Sequence, residues 1–176
     1  GAIDPANVNI DTDSVWNMTG NSQANTFTIG GTVNFSNPGV QLATGRTLSV
    51  QNWVGNGGLV DMYTALGKDN SVTDKLLIAG DSSGTTRVNV NNAGGNGAST
   101  LNGIELIQVN GASDGEFVQN GRIVAGAYDY TLGRGAGSQA NNWYLTSKAD
   151  PNPNPSADVQ RPESGSYTAN LATANT

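Results

Sequence analysis

Short runs of alternating apolar and polar residues extend from Ser14 to about Ser147, and each run is flanked by Gly, Asn, Asp or Ser. None has the three- and four-residue spacing of an amphipathic helix. Alternation gives a β-strand one buried and one exposed face. The sequence therefore predicts an all-β chain of about ten strands.

The residues predicted to face inward share a spacing of two. They are Thr86, Val88 and Val90, together with the pairs Phe27 and Ile29, Val33 and Phe35, Leu48 and Val50, Leu76 and Ile78, and Ile104 and Leu106. Between Leu106 and Ile107 the apolar parity changes, which predicts a bend or a β-bulge at that point.

Two architectures accommodate many short strands without helices: a sandwich of antiparallel hairpins and a parallel β-helix of stacked coils. The frequency of Asn at the ends of the runs, as at Asn52, Asn91, Asn92 and Asn110, favours stacked corners. At about 20 to 25 residues per coil, residues 14 to 147 would form about six coils. Because no strict repeat is visible, the sandwich remains open at this point.

The chain has no cysteine and no histidine, which removes thiolate chemistry, the commonest general base and the usual zinc ligand. Its eight basic residues are scattered and its net charge is -6, so nucleic acid is not an expected partner. No apolar run could span a bilayer as a helix, and the start lacks a signal peptide, which suggests an excised fragment.

Three groups of residues could be proposed as chemical sites, and in each case a structural interpretation is favoured. Gly80–Gly84 contains a serine but no supporting base, which indicates a turn. The carboxylate pairs Asp11 with Asp13 and Asp114 with Glu116 could hold calcium or act in a glycosidase, but they match no calcium-loop motif. We therefore expect no enzyme, with no catalytic, metal or cofactor residues. Similarly, the glycine-rich Gly133–Gly137 is interpreted as a flexible hairpin connection.

Aromatic residues are concentrated in a hairpin predicted from Gly126 to Ser147. Its expected packing anchors are Tyr128, Tyr130, Leu132, Trp143, Tyr144 and Leu145. Burying a large apolar side chain contributes about 1.5 to 3 kcal/mol, so this hairpin could be the most stable part of the chain. An ordinary core hairpin explains the same residues equally well.

Beyond the hairpin the composition changes. Residues 149–161 contain three closely spaced prolines and are predicted to be an extended linker. Within residues 162–176, Tyr167, Leu171 and Ala174 have helical spacing, which predicts a short helix.

Three motifs follow one another in the last third of the chain: Gly126–Leu132, Asn141–Leu145 and Arg161–Tyr167 with the alanines and asparagines that follow. Together they resemble the junction between passenger and translocator in classical autotransporters of the pertactin-like and AIDA type. Upstream, Asp74–Ile78 and Arg87–Gly94 also look like this group.

The resemblance implies a right-handed, single-stranded parallel β-helix over residues 1–125 and an autochaperone hairpin over 126–148 that caps the helix and nucleates its folding. It further implies a linker over 149–161 and, over 162–176, the start of a helix that leads into the barrel. The implied partners are the chain's own upstream passenger coils and a downstream outer-membrane β-barrel, the location is the Gram-negative cell surface, and the parent is an adhesin and virulence factor.

The rival hypothesis is a ligand-binding β-solenoid module that acts directly in adhesion. It would recognise a glycan or calcium along an Asn- and Thr-rich face, with a host surface receptor or glycan as its partner.

Overall fold

Twelve β-strands and one short 3-10 helix form the part of the chain that the computed structural model describes, residues 5–149. The strands are β1 (Val8–Ile10), β2 (Val15–Met18), β3 (Ser22–Ile29), β4 (Thr32–Phe35), β5 (Thr47–Thr64), β6 (Lys75–Ile78), β7 (Ser82–Asn92), β8 (Ile104–Val109), β9 (Glu116–Gln119), β10 (Ile123–Ala125), β11 (Tyr128–Arg134) and β12 (Trp143–Ala149). The 3-10 helix is Gly137–Gln139.

Successive segments stack in parallel as the coils of a β-solenoid. Val8 lies beside Phe27, Phe27 beside Trp53, Trp53 beside Ser82, and Ser82 beside Ser113. These steps advance the chain by 19, 26, 29 and 31 residues. The parallel β-helix is therefore confirmed and the sandwich is excluded. The prediction of about six coils over residues 14 to 147 was wrong. Four steps lead from Val8 to Ser113, because most coils are longer than 20 to 25 residues, and residues 123–149 pair in antiparallel fashion.

The strand β5 is the longest and bends around several sides of the solenoid. Its neighbours from the preceding coil are β3 and β4, and its neighbours from the following coil are β6 and β7, all of them parallel to it. Because three parts of β5, residues 48–50, 53–55 and 59–61, are each paired on both edges, this strand lies inside the stack and connects its faces.

All the residues that alternation predicted to face inward are buried, and all except Thr86 belong to the hydrophobic core. That core also contains residues that alternation did not identify, such as Trp53, Met62 and Leu66. The predicted bulge in β8 is also present. Leu106 and Ile107 are both 0% exposed, and Leu106 is the extra residue between Glu105, which pairs with Tyr144, and Ile107, which pairs with Trp143.

Aromatic rings form a continuous stack along the solenoid axis. The centroid distances are 5.8 Å from Trp16 to Phe27, 5.0 Å from Phe27 to Trp53, 6.3 Å from Trp53 to Phe117 and 5.5 Å from Phe117 to Trp143. Phe27 and Trp53 are parallel, whereas Trp143 meets Phe117 edge to face. The stack therefore connects the first described coil to the predicted hairpin.

The hairpin is confirmed, since β11 and β12 pair in antiparallel fashion from Tyr128 opposite Ala149 to Arg134 opposite Trp143. It is larger than predicted, because β10 pairs with β11 and makes a three-stranded unit that begins at Ile123. We call residues 123–149 the terminal sheet. Its β12 pairs antiparallel to β8, while β10 and β11 contact β7 and β9, so the terminal sheet lies across the end of the last coil.

The linker predicted over 149–161 and the helix predicted over 162–176 lie outside the described residues, except that Ala149 ends β12. The division of the chain at 125 and 148 stays a prediction. Within residues 5–149, no helix has the length and apolar character needed to cross a bilayer.

Candidate functional site

Five of the six predicted anchors are buried where the terminal sheet meets the last coils. They are Tyr130, Leu132, Trp143, Tyr144 and Leu145, and the sixth, Tyr128, is half-buried against the same core. The structure thus brings all six together on neighbouring strands. Their role as folding anchors stays a prediction.

Tyr130 links the terminal sheet to two loops of the solenoid. Its side chain is 2% exposed, its hydroxyl donates to the Gly67 carbonyl at 2.8 Å, and the Ala98 N–H donates to that hydroxyl at 3.1 Å. Burial raises the pKa of the Tyr130 hydroxyl. The ring therefore fills the core while its polar end remains satisfied, as buried tyrosines require.

Arg134 covers Trp143 and binds the last coil, although sequence reasoning assigned it to a flexible connection. Its guanidinium carbon lies 4.7 Å from the Trp143 ring centroid. It also donates to the Gly115 carbonyl at 2.9 Å, the Glu116 carboxylate at 3.0 Å and the Ser113 hydroxyl at 3.0 Å. That interpretation was wrong for Gly133 and Arg134, which belong to β11. The hairpin register, which places Arg134 opposite Trp143, was the signal that could have found this contact.

Tyr144 and Ser147 complete the polar contacts of β12. The Tyr144 hydroxyl donates to Gln139 Oε1, and the Glu105 carboxylate lies 3.3 Å from the same hydroxyl. Burial raises the pKa of this hydroxyl. Ser147 exchanges two hydrogen bonds with Thr100, each of 2.9 Å. These contacts join β12 both to β8 and to the loop that precedes β8.

That same loop is held from its other side by Asp69. The carboxylate accepts the N–H groups of Leu101 at 2.8 Å, Asn102 at 2.8 Å and Gly103 at 3.1 Å. Burial acts to raise the pKa of Asp69, but the three backbone donors outweigh it, and the pKa lies below its ordinary value. No sequence motif marked this residue.

A second unpredicted carboxylate is buried between coils. Asp74 is 0% exposed and accepts bonds from the Arg46 guanidinium at 2.6 and 3.0 Å, from the Arg46 N–H at 3.1 Å and from the Tyr63 N–H at 2.8 Å. The Arg46 guanidinium also donates to the Ser36 carbonyl at 2.7 Å. Such a pair is tolerated between coils because the Asp74 carboxylate accepts four hydrogen bonds and the Arg46 guanidinium keeps part of its surface in contact with solvent.

Several of the residues considered for chemistry make hydrogen bonds or ion pairs within the protein. Ser82 is buried, and its hydroxyl accepts the Gly115 N–H at 3.1 Å, while Asp81 accepts the Ala112 N–H at 2.8 Å. Glu116 is paired with Arg134.

The other carboxylate pair, Asp11 and Asp13, is exposed and lines an open hollow with Thr28 and Asn56. Over residues 5–149, no three Asp or Glu side chains lie close enough together to hold a metal ion. Binding of calcium or a glycan by this chain stays a prediction.

A family model described as Autochaperone Domain Type 1 matches residues 22–132. The chain belongs to this autochaperone family. The matched range covers most of the coils together with β10 and the greater part of β11, so the autochaperone family includes the coils as well as the start of the terminal sheet.

Autotransporters are among the relatives of this autochaperone domain. It is 43% identical to the autotransporter adhesin AIDA-I of Escherichia coli over 76% of the chain, and 44% identical to the adhesin BmaC autotransporter of Brucella suis over 66%. The uncharacterized protein YuaQ of Escherichia coli K12 is 52% identical over 76%. The chain spans only 10%, 4% and 11% of these three proteins, respectively.

Proposed function

We propose that the terminal sheet caps the last coil and acts as the folding nucleus of a longer passenger during its secretion. The observation that supports this most directly is the position of Trp143, which ends the aromatic stack on Phe117 and is itself covered by Arg134. A stack of coils has two open ends, and an uncovered end offers its strand edge to other chains.

The proposed mechanism follows from the order of stacking. Once the terminal sheet and the last coil have formed, that coil presents a complete parallel edge of N–H and C=O groups on its other side. Each preceding coil can then add to a preformed edge, and it avoids the unfavourable ordering of an isolated coil. A C-terminal segment that folds first outside the cell would also bias transport outward.

The same proposal gives the chain its partners and its place in the cell. They are the upstream passenger coils, an outer-membrane β-barrel that follows in the same protein, and the Gram-negative cell surface. AIDA-I and BmaC are adhesins by name, which supports an adhesin as the parent protein. A host receptor or glycan would then be a partner of the whole passenger.

The proposal contains no catalytic step. Glu116 already forms an ion pair with Arg134, which supports a structural role for the Asp114 and Glu116 pair. A glycosidase activity of the chain that disappeared on replacing either carboxylate would contradict this part of the proposal.

The test is Trp143→Ala in the autotransporter that carries this segment. Replacing a buried tryptophan by alanine costs about 3 to 5 kcal/mol, so the last coil should lose its cap and less passenger should reach a protease-resistant state on the cell surface. Trp16→Ala is the control at the opposite end of the same aromatic stack, where the tryptophan is partly buried.

Surface display is measured by antibody labelling and by proteolysis of intact cells. The proposal expects Trp143→Ala to reduce display at least several-fold more than Trp16→Ala does. Equal display of the two variants, or display of Trp143→Ala at the level of the unchanged protein, would refute a nucleating role for the terminal sheet.

A further inference from the structure

At one corner of the solenoid the backbone groups of successive coils form a continuous ladder. The Gly80 N–H donates to the Gln51 carbonyl and the Gly111 N–H donates to the Gly80 carbonyl, each at 2.7 Å. In this ladder each carbonyl accepts a hydrogen bond from a backbone N–H of the coil that follows. Gly111 belongs to the last parallel coil within residues 5–149, and in that range no backbone N–H of a further parallel coil follows it.

The side chain of Asn141 takes that position. Its side-chain amide nitrogen donates to the Gly111 carbonyl at 3.2 Å. The Ser113 hydroxyl donates to the backbone carbonyl of Asn141 at 2.7 Å and so fixes its position. Asn141 thus supplies the donor that a following coil would have supplied.

Asn142 supplies the complementary acceptor. Val50, Ile78 and Val109 occupy one register position in successive coils, and the carbonyls of Val50 and Ile78 accept N–H groups from the coil that follows them. In a parallel ladder, the N–H and C=O of one residue point to the same neighbour. The Val109 N–H therefore points beyond the last coil, where it donates to the Asn142 side-chain oxygen at 3.0 Å.

We infer that Asn141 and Asn142 imitate the backbone of a missing next coil and thereby set the point at which parallel stacking ends. Arg134 has the same role at the neighbouring edge, where its guanidinium donates to the Gly115 carbonyl. The unwanted partner is a second copy of this chain, whose strand could otherwise add to the open edge. This inference rests on the proposed role of the terminal sheet as a cap, and it adds the residues that satisfy the polar groups of the edge.

The first experiment is amide hydrogen exchange by NMR on the 176-residue chain. In Asn142→Ala the Val109 N–H loses its acceptor, and its protection should fall about tenfold or more, since a hydrogen bond worth about 1.4 kcal/mol corresponds to a factor of ten. In Asn141→Ala the same N–H should remain protected. The control is Asn56→Ala, because Asn56 is exposed and lies two coils before Glu116 of the last coil in the parallel register. Unchanged protection of Val109 in Asn142→Ala would overturn the inference.

The second experiment measures association. Light scattering over a range of concentrations should show oligomers of the double variant Asn141→Ala with Asn142→Ala, while the unchanged chain and Asn56→Ala should not differ from each other. Asn141→Asp, which keeps the size of the side chain but lacks the donor, should by itself raise association above that of Asn56→Ala. A double variant that associates no more than Asn56→Ala would contradict the edge-blocking role.

The two proposals can fail separately. If Trp143→Ala leaves surface display unchanged, folding nucleation is refuted, but selective loss of Val109 protection would still support the termination role. If display falls and Val109 is unaffected by Asn142→Ala, nucleation stands and the termination role is refuted.

Discussion

A single carboxylate, Asp69, fixes the loop on which the terminal sheet rests. Its two oxygens accept three consecutive backbone N–H groups, from Leu101 to Gly103. The neighbouring residues Ala98 and Thr100 bind Tyr130 and Ser147 of the terminal sheet. The charge of Asp69 therefore influences the terminal sheet without direct contact.

Asp69→Asn should lower stability and reduce its dependence on pH. The folded-state pKa of Asp69 is below the unfolded value of about 3.9, so the stabilisation is fully present above that value and is lost as the pH falls through the folded pKa. Losing a charged acceptor should cost about 1 kcal/mol at neutral pH and less in acid. Urea midpoints between pH 7 and 2.5 measure this, with the exposed Asp13→Asn as the control. A difference from the unchanged chain that did not shrink in acid would contradict the assignment.

At this scale the sequence predicted apolar burial well and polar contacts poorly. Alternation identified core residues such as Leu48 and Ile78 because the two-residue period depends only on local geometry. It could not identify Asp69 or the pair of Arg46 with Asp74, because their partners lie about 30 residues away and depend on coil lengths that no repeat defines.

The transition from parallel to antiparallel pairing occurs at one element, β8. On one edge β8 pairs in parallel with β6, and on the other it pairs with β12 in the opposite direction. The bulge at Leu106 lies within the pairing of β8 with β12. The sequence indicated the bulge through its parity change, and it indicated the hairpin through its aromatics. It missed β10 because three residues, Ile123–Ala125, are too short a run to show a pattern.

Tyr130→Phe should loosen the terminal sheet from the solenoid while keeping its apolar packing. The variant leaves the Gly67 carbonyl and the Ala98 N–H without their partner in a partly buried position, which costs about 1 kcal/mol. Denaturant midpoints give the loss of stability, and hydrogen exchange should show faster exchange of the Ala98 N–H. Tyr128→Phe is the control, since Tyr128 is only half-buried. Equal midpoints for the two variants would argue against the linking role of the hydroxyl.

Over the whole molecule, contacts are made mainly between neighbouring coils, and the coils differ in length from 19 to 31 residues. Solenoids of this kind are stabilised by the intrinsic stability of each repeat and by the interfaces between neighbours. The sequence predicted the architecture from composition, but it gave the wrong number of coils because the added residues lie in corner loops that leave the strand pattern unchanged.

Native-state hydrogen exchange should therefore show a gradient along the axis. The strands β1 and β2 each pair with one neighbour and should exchange first, whereas β8, β11 and β12 have partners on both edges or bury large aromatic residues and should exchange last. Sub-denaturing concentrations of urea would resolve the order. If β11 and β12 opened before β3 and β5, the terminal sheet could not be the most stable part of the chain.

All three tryptophans of the chain belong to the aromatic stack, with Trp16 near its beginning, Trp53 in the middle and Trp143 at its end. The chain therefore carries an intrinsic fluorescent probe at three positions along its axis. In variants that retain one indole at a time, stopped-flow fluorescence would measure how fast the region around each tryptophan folds, without any attached dye.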